Sequence, residues 1–204
     1  MTELEEIEYR EKLLKTLRLG GKVEPSEREW LVTHKAFSDI YGWPFLVMDI
    51  IELEPNRTYT VTAELLFKNC CETMMPTVSV PQRKGQILFN DPDGQLQKTT
   101  ALGLFFSEKN KELVFSFKAK NGLLCVTMEY LTKDYRGTEY WRSSVNDDRL
   151  AMQTIESTDN KRRYSCRGIK NNQTEHFDFE LRWEKSETKA ARGKSKKQNS
   201  KETE

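Results

Sequence analysis

Two different periods divide the chain. Up to about residue 40 the apolar side chains recur at helical spacing, and from Phe45 onward they alternate with polar ones. In the first stretch Leu4, Ile7, Leu14 and Leu17 fall on or near one stripe, as on a helix that turns one face to a core. Glu3, Glu5, Glu6 and Glu8 crowd the front of this segment, with Lys12, Lys15 and Arg18 behind them, an order that complements the helix dipole. Gly20-Gly21 predicts the stop. Pro25, whose fixed φ and missing N–H suit a first helical turn, precedes Ser26-Glu27-Arg28-Glu29 and predicts a second helix. That helix is expected to run to about His34 or Phe37 and to end before Gly42. With Trp30 and Leu31 added, the pair has more apolar surface than two short helices can hide between themselves. A hairpin over residues 1–40, docked on the rest of the chain, is expected.

The remainder reads as short strands. Leu113, Phe115 and Phe117 alternate with Val114, Ser116 and Lys118. Leu124, Val126, Met128 and Tyr130 repeat the pattern after Asn121-Gly122, a pair that tolerates positive φ and signals a hairpin. Phe177, Phe179, Leu181 and Trp183 alternate with His176, Asp178, Glu180 and Arg182, which marks a strand with one buried and one solvated face. Weaker strands are expected at 50–53, 58–67, 73–80, 86–89, 101–106, 138–142, 149–155 and 163–169. Turn signals such as Asp91-Pro92-Asp93-Gly94 and Glu108-Lys109-Asn110 separate them. Many short strands with no helix between them predict a mainly β chain, an antiparallel and jelly-roll-like β-sandwich over residues 41–185.

One stretch adds a mechanical signature: Leu53-Glu54-Pro55-Asn56-Arg57-Thr58-Tyr59-Thr60-Val61-Thr62-Ala63. It resembles the tyrosine corner of fibronectin type III domains, and sugar-binding jelly rolls often enter a strand in a similar way. The resemblance implies that the Tyr59 hydroxyl hydrogen-bonds the backbone upstream, where the chain crosses between sheets. In a fibronectin domain this corner leads into almost the last strands, whereas here about 120 residues of the sandwich follow it. It therefore supports the sandwich and not membership of that family.

Charge changes the picture at the C-terminus. The net charge of +1 hides a tail, residues 186–204, with six bases and three acids, so that 27 bases and 29 acids remain in residues 1–185. The tail has no aromatic or branched aliphatic residue and is expected to be disordered. Its positive charge suits a solubilising end or a loose hold on nucleic acid. No apolar run approaches the ~18–20 residues of a membrane span, so no membrane partner is expected. The acidic start Thr2-Glu3-Leu4-Glu5-Glu6 is unlike a secretory leader. Cys70, Cys71, Cys125 and Cys166 form neither a disulfide framework nor a C-x-x-C metal site. A reducing, cytoplasmic setting is the expectation, with the sequons at Asn56 and Asn172 arising by chance.

The chemistry on offer is binding rather than catalysis. His34 and His176 have no second histidine near them, no cysteine is close to either, and no nucleophile elbow, phosphate loop or calcium loop occurs. No catalytic residue, metal or cofactor is expected. Strand carboxylates such as Glu129, Glu139, Asp178 and Glu180 could pair as in a glycosidase only if the fold brings them together. Tyr135, Arg136, Tyr140, Trp141 and Arg142 concentrate the residue types that dominate interfaces and stack on sugars or bases. Arg163 and Arg167, with Lys161, Ser165 and Lys170 nearby, alternate onto one strand face that phosphates could line. These features point to a non-enzymatic module acting through a protein partner or self-association. A carbohydrate-binding jelly roll is the first alternative. The second is a nucleic-acid-associated protein using the tail and the Lys161–Lys170 strand.

Overall fold

The computed structural model describes residues 2–19, 21–33, 45–69, 74–80, 85–133, 136–144, 150–170 and 173–186. His34, Cys70, Cys71, Tyr135 and residues 187–204 lie outside these, as do the side chains of Leu4, Ile7 and Lys170. Helix α1 (Glu3–Arg18) opens with a reciprocal cap, in which Glu5 N–H donates to Thr2 Oγ1 at 3.3 Å and Thr2 N–H to Glu5 Oε2 at 2.7 Å. Two donors that the helix cannot satisfy are thereby paired. Helix α2 (Pro25–Val32) starts on Pro25 as expected. It stops at Val32, short of His34 or Phe37, because Thr33 is already extended and pairs with Leu46. The helices meet at Tyr9 and Trp30, whose ring centroids lie 5.2 Å apart. Tyr9 Oη donates to Glu27, and the Arg10 guanidinium sits over Trp30 at 5.0 Å.

Twelve strands follow among the described residues: β1 (Met48–Glu52), β2 (Thr58–Lys68), β3 (Met74–Ser79), β4 (Gln86–Asn90), β5 (Leu96–Thr99), β6 (Ala101–Gly103), β7 (Glu112–Lys118), β8 (Leu123–Lys133), β9 (Glu139–Ser143), β10 (Leu150–Thr158), β11 (Lys161–Lys170) and β12 (Gln173–Lys185). They pair antiparallel in two sheets. The larger has the order β10-β11-β12-β2-β7-β4-β5, and the smaller β1-β8-β3-β6, with β9 also on β8. One apolar core fills the space between them. Val61, Phe115, Phe117, Phe177, Phe179 and Leu181 of the larger sheet meet Ile51, Val78, Leu124, Val126 and Met128 of the smaller. Each such side chain stabilises the fold by roughly 1.5–3 kcal/mol when fully buried. The chain is thus mainly β, with two antiparallel sheets and two N-terminal helices.

Local sequence explains the joints. Tyr59 is buried, and its hydroxyl accepts from Glu54 N–H at 3.1 Å, the upstream bond that the tyrosine-corner resemblance implies. The β7–β8 loop spans four residues, 119–122, and only Gly122 takes positive φ, at 72°. A Cβ there would collide with the Leu53 carbonyl. Leu53 N–H instead donates to Gly122 O, and Asn56 N–H to Ala119 O, both at 2.9 Å. The hairpin loop therefore seats the chain entering the tyrosine corner. Strand β5 was not expected, because Leu96-Gln97-Lys98-Thr99 is an edge with almost everything exposed and shows no alternation.

The helices form a third layer on the outside of the smaller sheet. Leu13, Leu17 and Leu31 pack there against Val47, Met48, Ile50 and Cys125. Leu13 and Leu17, one turn apart, are the buried pair, while Leu14 is half-buried. Arg28 fastens the layer by pairing with Glu52 and donating to Ile50 O at 3.2 Å. Leu46 closes the seam between layers. Its N–H and C=O both bond Met152 of β10, at 2.6 and 2.9 Å, while Val47 N–H donates to Val32 O at 2.7 Å. At the other end Ser186, inside the expected tail, still donates its N–H to Thr58 O at 2.9 Å.

Candidate functional site

Arg163 and Arg167 lie on the outer face of the larger sheet and Trp141 on the outer face of the smaller, on opposite sides of the sandwich. Strand register decides the membership of each face, because directly paired residues point the same way. On the larger sheet Arg163 stands opposite Glu180, Ser165 opposite Asp178, and Arg167 opposite His176. Arg163 and Arg167 do share a face, but acids share it too. Lys161 bonds Glu156 at 2.6 Å and lies 3.7 Å from Glu180, and Arg182 reaches Glu64 at 2.7 Å and Glu180 at 3.5 Å. The hydrogen bond to Glu156 is the main cause holding the Lys161 ammonium above its ordinary value. Lys161, Arg163, Arg167 and Arg182 thus share their face with Glu64, Glu156, Asp178, Glu180 and Glu184. Such a face is balanced rather than phosphate-attracting.

A serine, a histidine and an aspartate meet on this face without forming a relay. His176 Nε2 lies 2.8 Å from Ser165 Oγ and 2.5 Å from Asp178 Oδ1. Both contacts fall on the same ring nitrogen. A nucleophile relay needs the serine on one nitrogen and the carboxylate on the other. Phe67 packs beside the imidazole with centroids 5.0 Å apart, and His176 N–H donates to Asn69 Oδ1 at 2.7 Å. The cluster ties β11 and β12 to the end of β2.

The outer face of the smaller sheet is divided. Its Met48, Ile50 and Cys125 side lies under the helices, and the other side carries Met75, Thr77, Gly103, Glu129, Leu131 and Trp141. Trp141 is half-buried, and its ring meets that of Phe105 nearly at right angles, with centroids 6.2 Å and planes 79° apart. Phe105 is 64% exposed, although its neighbours Leu104 and Phe106 are buried in the core. Gly103 makes the arrangement possible. A Cβ there would fall 2.5 Å from Met75 Sδ and 3.2 Å from a Phe105 ring carbon. Tyr140 and Arg142, also on β9, point to the opposite side of the strand, and Arg136 is exposed just before it. Tyr140 is 41% exposed.

Two polar groups on this open half are not matched by partners. Thr77 Oγ1 is buried and makes no hydrogen bond. Glu129 is directly opposite Met75 and diagonal to Thr77 across β3 and β8. Burial holds its carboxyl above the ordinary glutamate value, and the nearby Thr77 hydroxyl offsets part of that rise without closing a well-formed bond. The nearest cation on the same strand face, Lys133, is taken by Glu139 at 3.0 Å.

The other chemical candidates are accounted for by packing. Cys125 is under the helices and Cys166 is in the core. Asp91 accepts from Asp93 N–H, Gln95 N–H and Gln97 Nε2, and its carboxyl is held low chiefly by the Gln97 bond. Its oxygens serve the β4–β5 turn. The four strand carboxylates do not converge: Asp178 and Glu180 are on the larger sheet, Glu129 and Glu139 on the smaller. Glu139 is opposite Lys133, four residues along β8 from Glu129, or about 13 Å at strand rise. Among the described residues no three His, Cys, Asp or Glu gather as for a metal, and no helix is long and apolar enough to cross a membrane. No protein-family model and no curated protein matches the chain.

Phe105 and Glu129 carry more of this site than their sequence positions suggested. Phe105 had a usable signal. In Leu104-Phe105-Phe106 three large apolar residues are consecutive, and strand alternation forces the middle one outward.

Proposed function

We propose that the chain is a non-enzymatic interaction module that takes a protein partner on the open half of the smaller sheet's outer face. The observation that carries this is the exposed Phe105 ring set nearly at right angles to Trp141 beside the helical layer. Large aromatics held in fixed geometry and left to water are costly, and they are the residue types that anchor interfaces. β9, which among the described residues pairs with β8, flanks them. The occupant is a partner segment with apolar side chains around a basic one, because the patch pairs two rings with an acid that has no cation. Sugar stacking is less well served, since it favours coplanar exposed rings and these two stand at 79°.

The test is a photo-crosslinking residue in place of Phe105, with Val114 on the opposite sheet face as the control position. A discrete protein adduct is expected from position 105, absent from position 114 and lost when Trp141→Ala is added. Adducts of the chain with itself alone would make the occupant a second copy. The same adducts from both positions, or none from either, would overturn the proposal.

A further inference from the structure

Resting on that surface assignment, we infer that Glu129 is the contact point for a primary ammonium group, a lysine side chain of the partner, held against Phe105 and Trp141. Several carboxylates have counter-charges: Glu52 with Arg28, Glu54 with Lys185, Glu139 with Lys133, Glu156 and Glu180 with Lys161. Glu129 is more sheltered than most of these and has no cation among the described residues. A sheltered, unmatched carboxylate is unfavourable in the free protein and becomes favourable when a cation arrives.

The surroundings select the kind of cation. Trp141, diagonal to Glu129 across β8 and β9, and Phe105 against it offer π faces, which attract a cation and cover the apolar stem that carries it. The buried Thr77 hydroxyl, one strand away, donates to Glu129 once the carboxylate is ionised and drawn toward the ligand, and so acts as a positioning residue. A lysine side chain supplies all that this arrangement lacks: four methylenes for the rings and a compact charge with three donors for the acid. A quaternary ammonium would use the rings but could not donate to Glu129. A neutral side chain of the same length would leave the carboxylate as it was.

The experiment is an amide and indole NMR titration of the full chain with Nα-acetyl-lysine methylamide, using Nα-acetyl-norleucine methylamide as the neutral isostere. Saturable shifts are expected at the Trp141 indole N–H and the Glu129 amide, with a Kd on the order of millimolar. The norleucine probe and the Glu129→Gln variant should each bind about tenfold more weakly, and Thr77→Val about two- to fivefold more weakly. Equal binding of both probes, unchanged binding by Glu129→Gln, or no saturable shift would overturn the inference, and the probe comparison needs no variant to fold. The crosslink at position 105 separates this from the parent proposal. If the adducts persist while the lysine probe fails, only the ammonium site falls. If Glu129-dependent probe binding persists without adducts, only the protein-partner assignment falls.

Discussion

The two outer faces of the sandwich are built by the same alternation and reach different outcomes. On the larger sheet most outward polar residues pair with one another, Lys161 with Glu156, Arg182 with Glu64 and Glu180, Ser165 and Asp178 with His176, although Arg163 Nε is buried without a partner among the described residues. On the smaller sheet the outward set includes Met48, Ile50, Cys125, Met75, Thr77 and Trp141, which water cannot satisfy. The helices cover one side of it, and the other side keeps an exposed Phe105 and an acid that has no cation among the described residues. A sheet face that closes its own polar bonds needs only solvent. One that does not close them needs a cover, and here the chain supplies only part of that cover.

The comparison breaks first at the helices. Leu31 is fully buried under the covered half, so Leu31→Ala is expected to cost about 2–5 kcal/mol in urea unfolding. A loss below about 1 kcal/mol would mean that the hairpin contributes little to holding that face. Next comes the joint between the sheets. Tyr59→Phe should cost about 1–2 kcal/mol, because it strands the Glu54 N–H. A neutral result would remove the corner as a fastening.

Carboxylates on the two faces should then respond with opposite sign. Glu180→Gln removes partners of Lys161 and Arg182 and should cost about 0.2–1 kcal/mol at pH 7. Glu129→Gln should raise the thermal midpoint at pH 7. Its carboxyl is raised above the ordinary value of 4.5 by burial, so the folded state holds the proton more tightly than the unfolded chain. That contribution is fully present below the ordinary value and is lost as pH rises through the raised one. The gain from glutamine should therefore be full at pH 7 and vanish below about pH 4. A gain that persists in acid would trace to packing instead of charge. The smallest effect is expected at Val114, 54% exposed on the self-satisfied face, where Val114→Thr should stay within about 0.5 kcal/mol.

Legibility in the sequence follows the same division. Strands with one wet and one dry face declared themselves, and the clearest, around Phe177–Trp183, is the centre of β12. β5 was silent because both its faces are wet, and a four-residue polar edge resembles a loop. The helices were legible by period, but not the register that makes Leu13 the buried partner of Leu17. Arg163 and Arg167 were correctly assigned to one face. The acids that share that face were hidden, since Glu156 and Glu180 come from other strands. In the candidate site Trp141 was visible as part of a rich cluster, whereas Glu129 had meaning only beside Thr77, about 50 residues away in sequence and one strand away in space.

The covered face also sets an order of events during synthesis. The hairpin leaves the ribosome before its seat, which includes Cys125 of β8, and the seam at Leu46 waits for Met152 of β10. Between Leu31 and Cys125 about 90 further residues must be made, roughly 5–20 s at ordinary elongation rates. Through that interval Leu13, Leu17 and Leu31 have no sheet to lie on. The helices thus emerge well before the face that buries them, which makes the nascent hairpin a natural client for a chaperone.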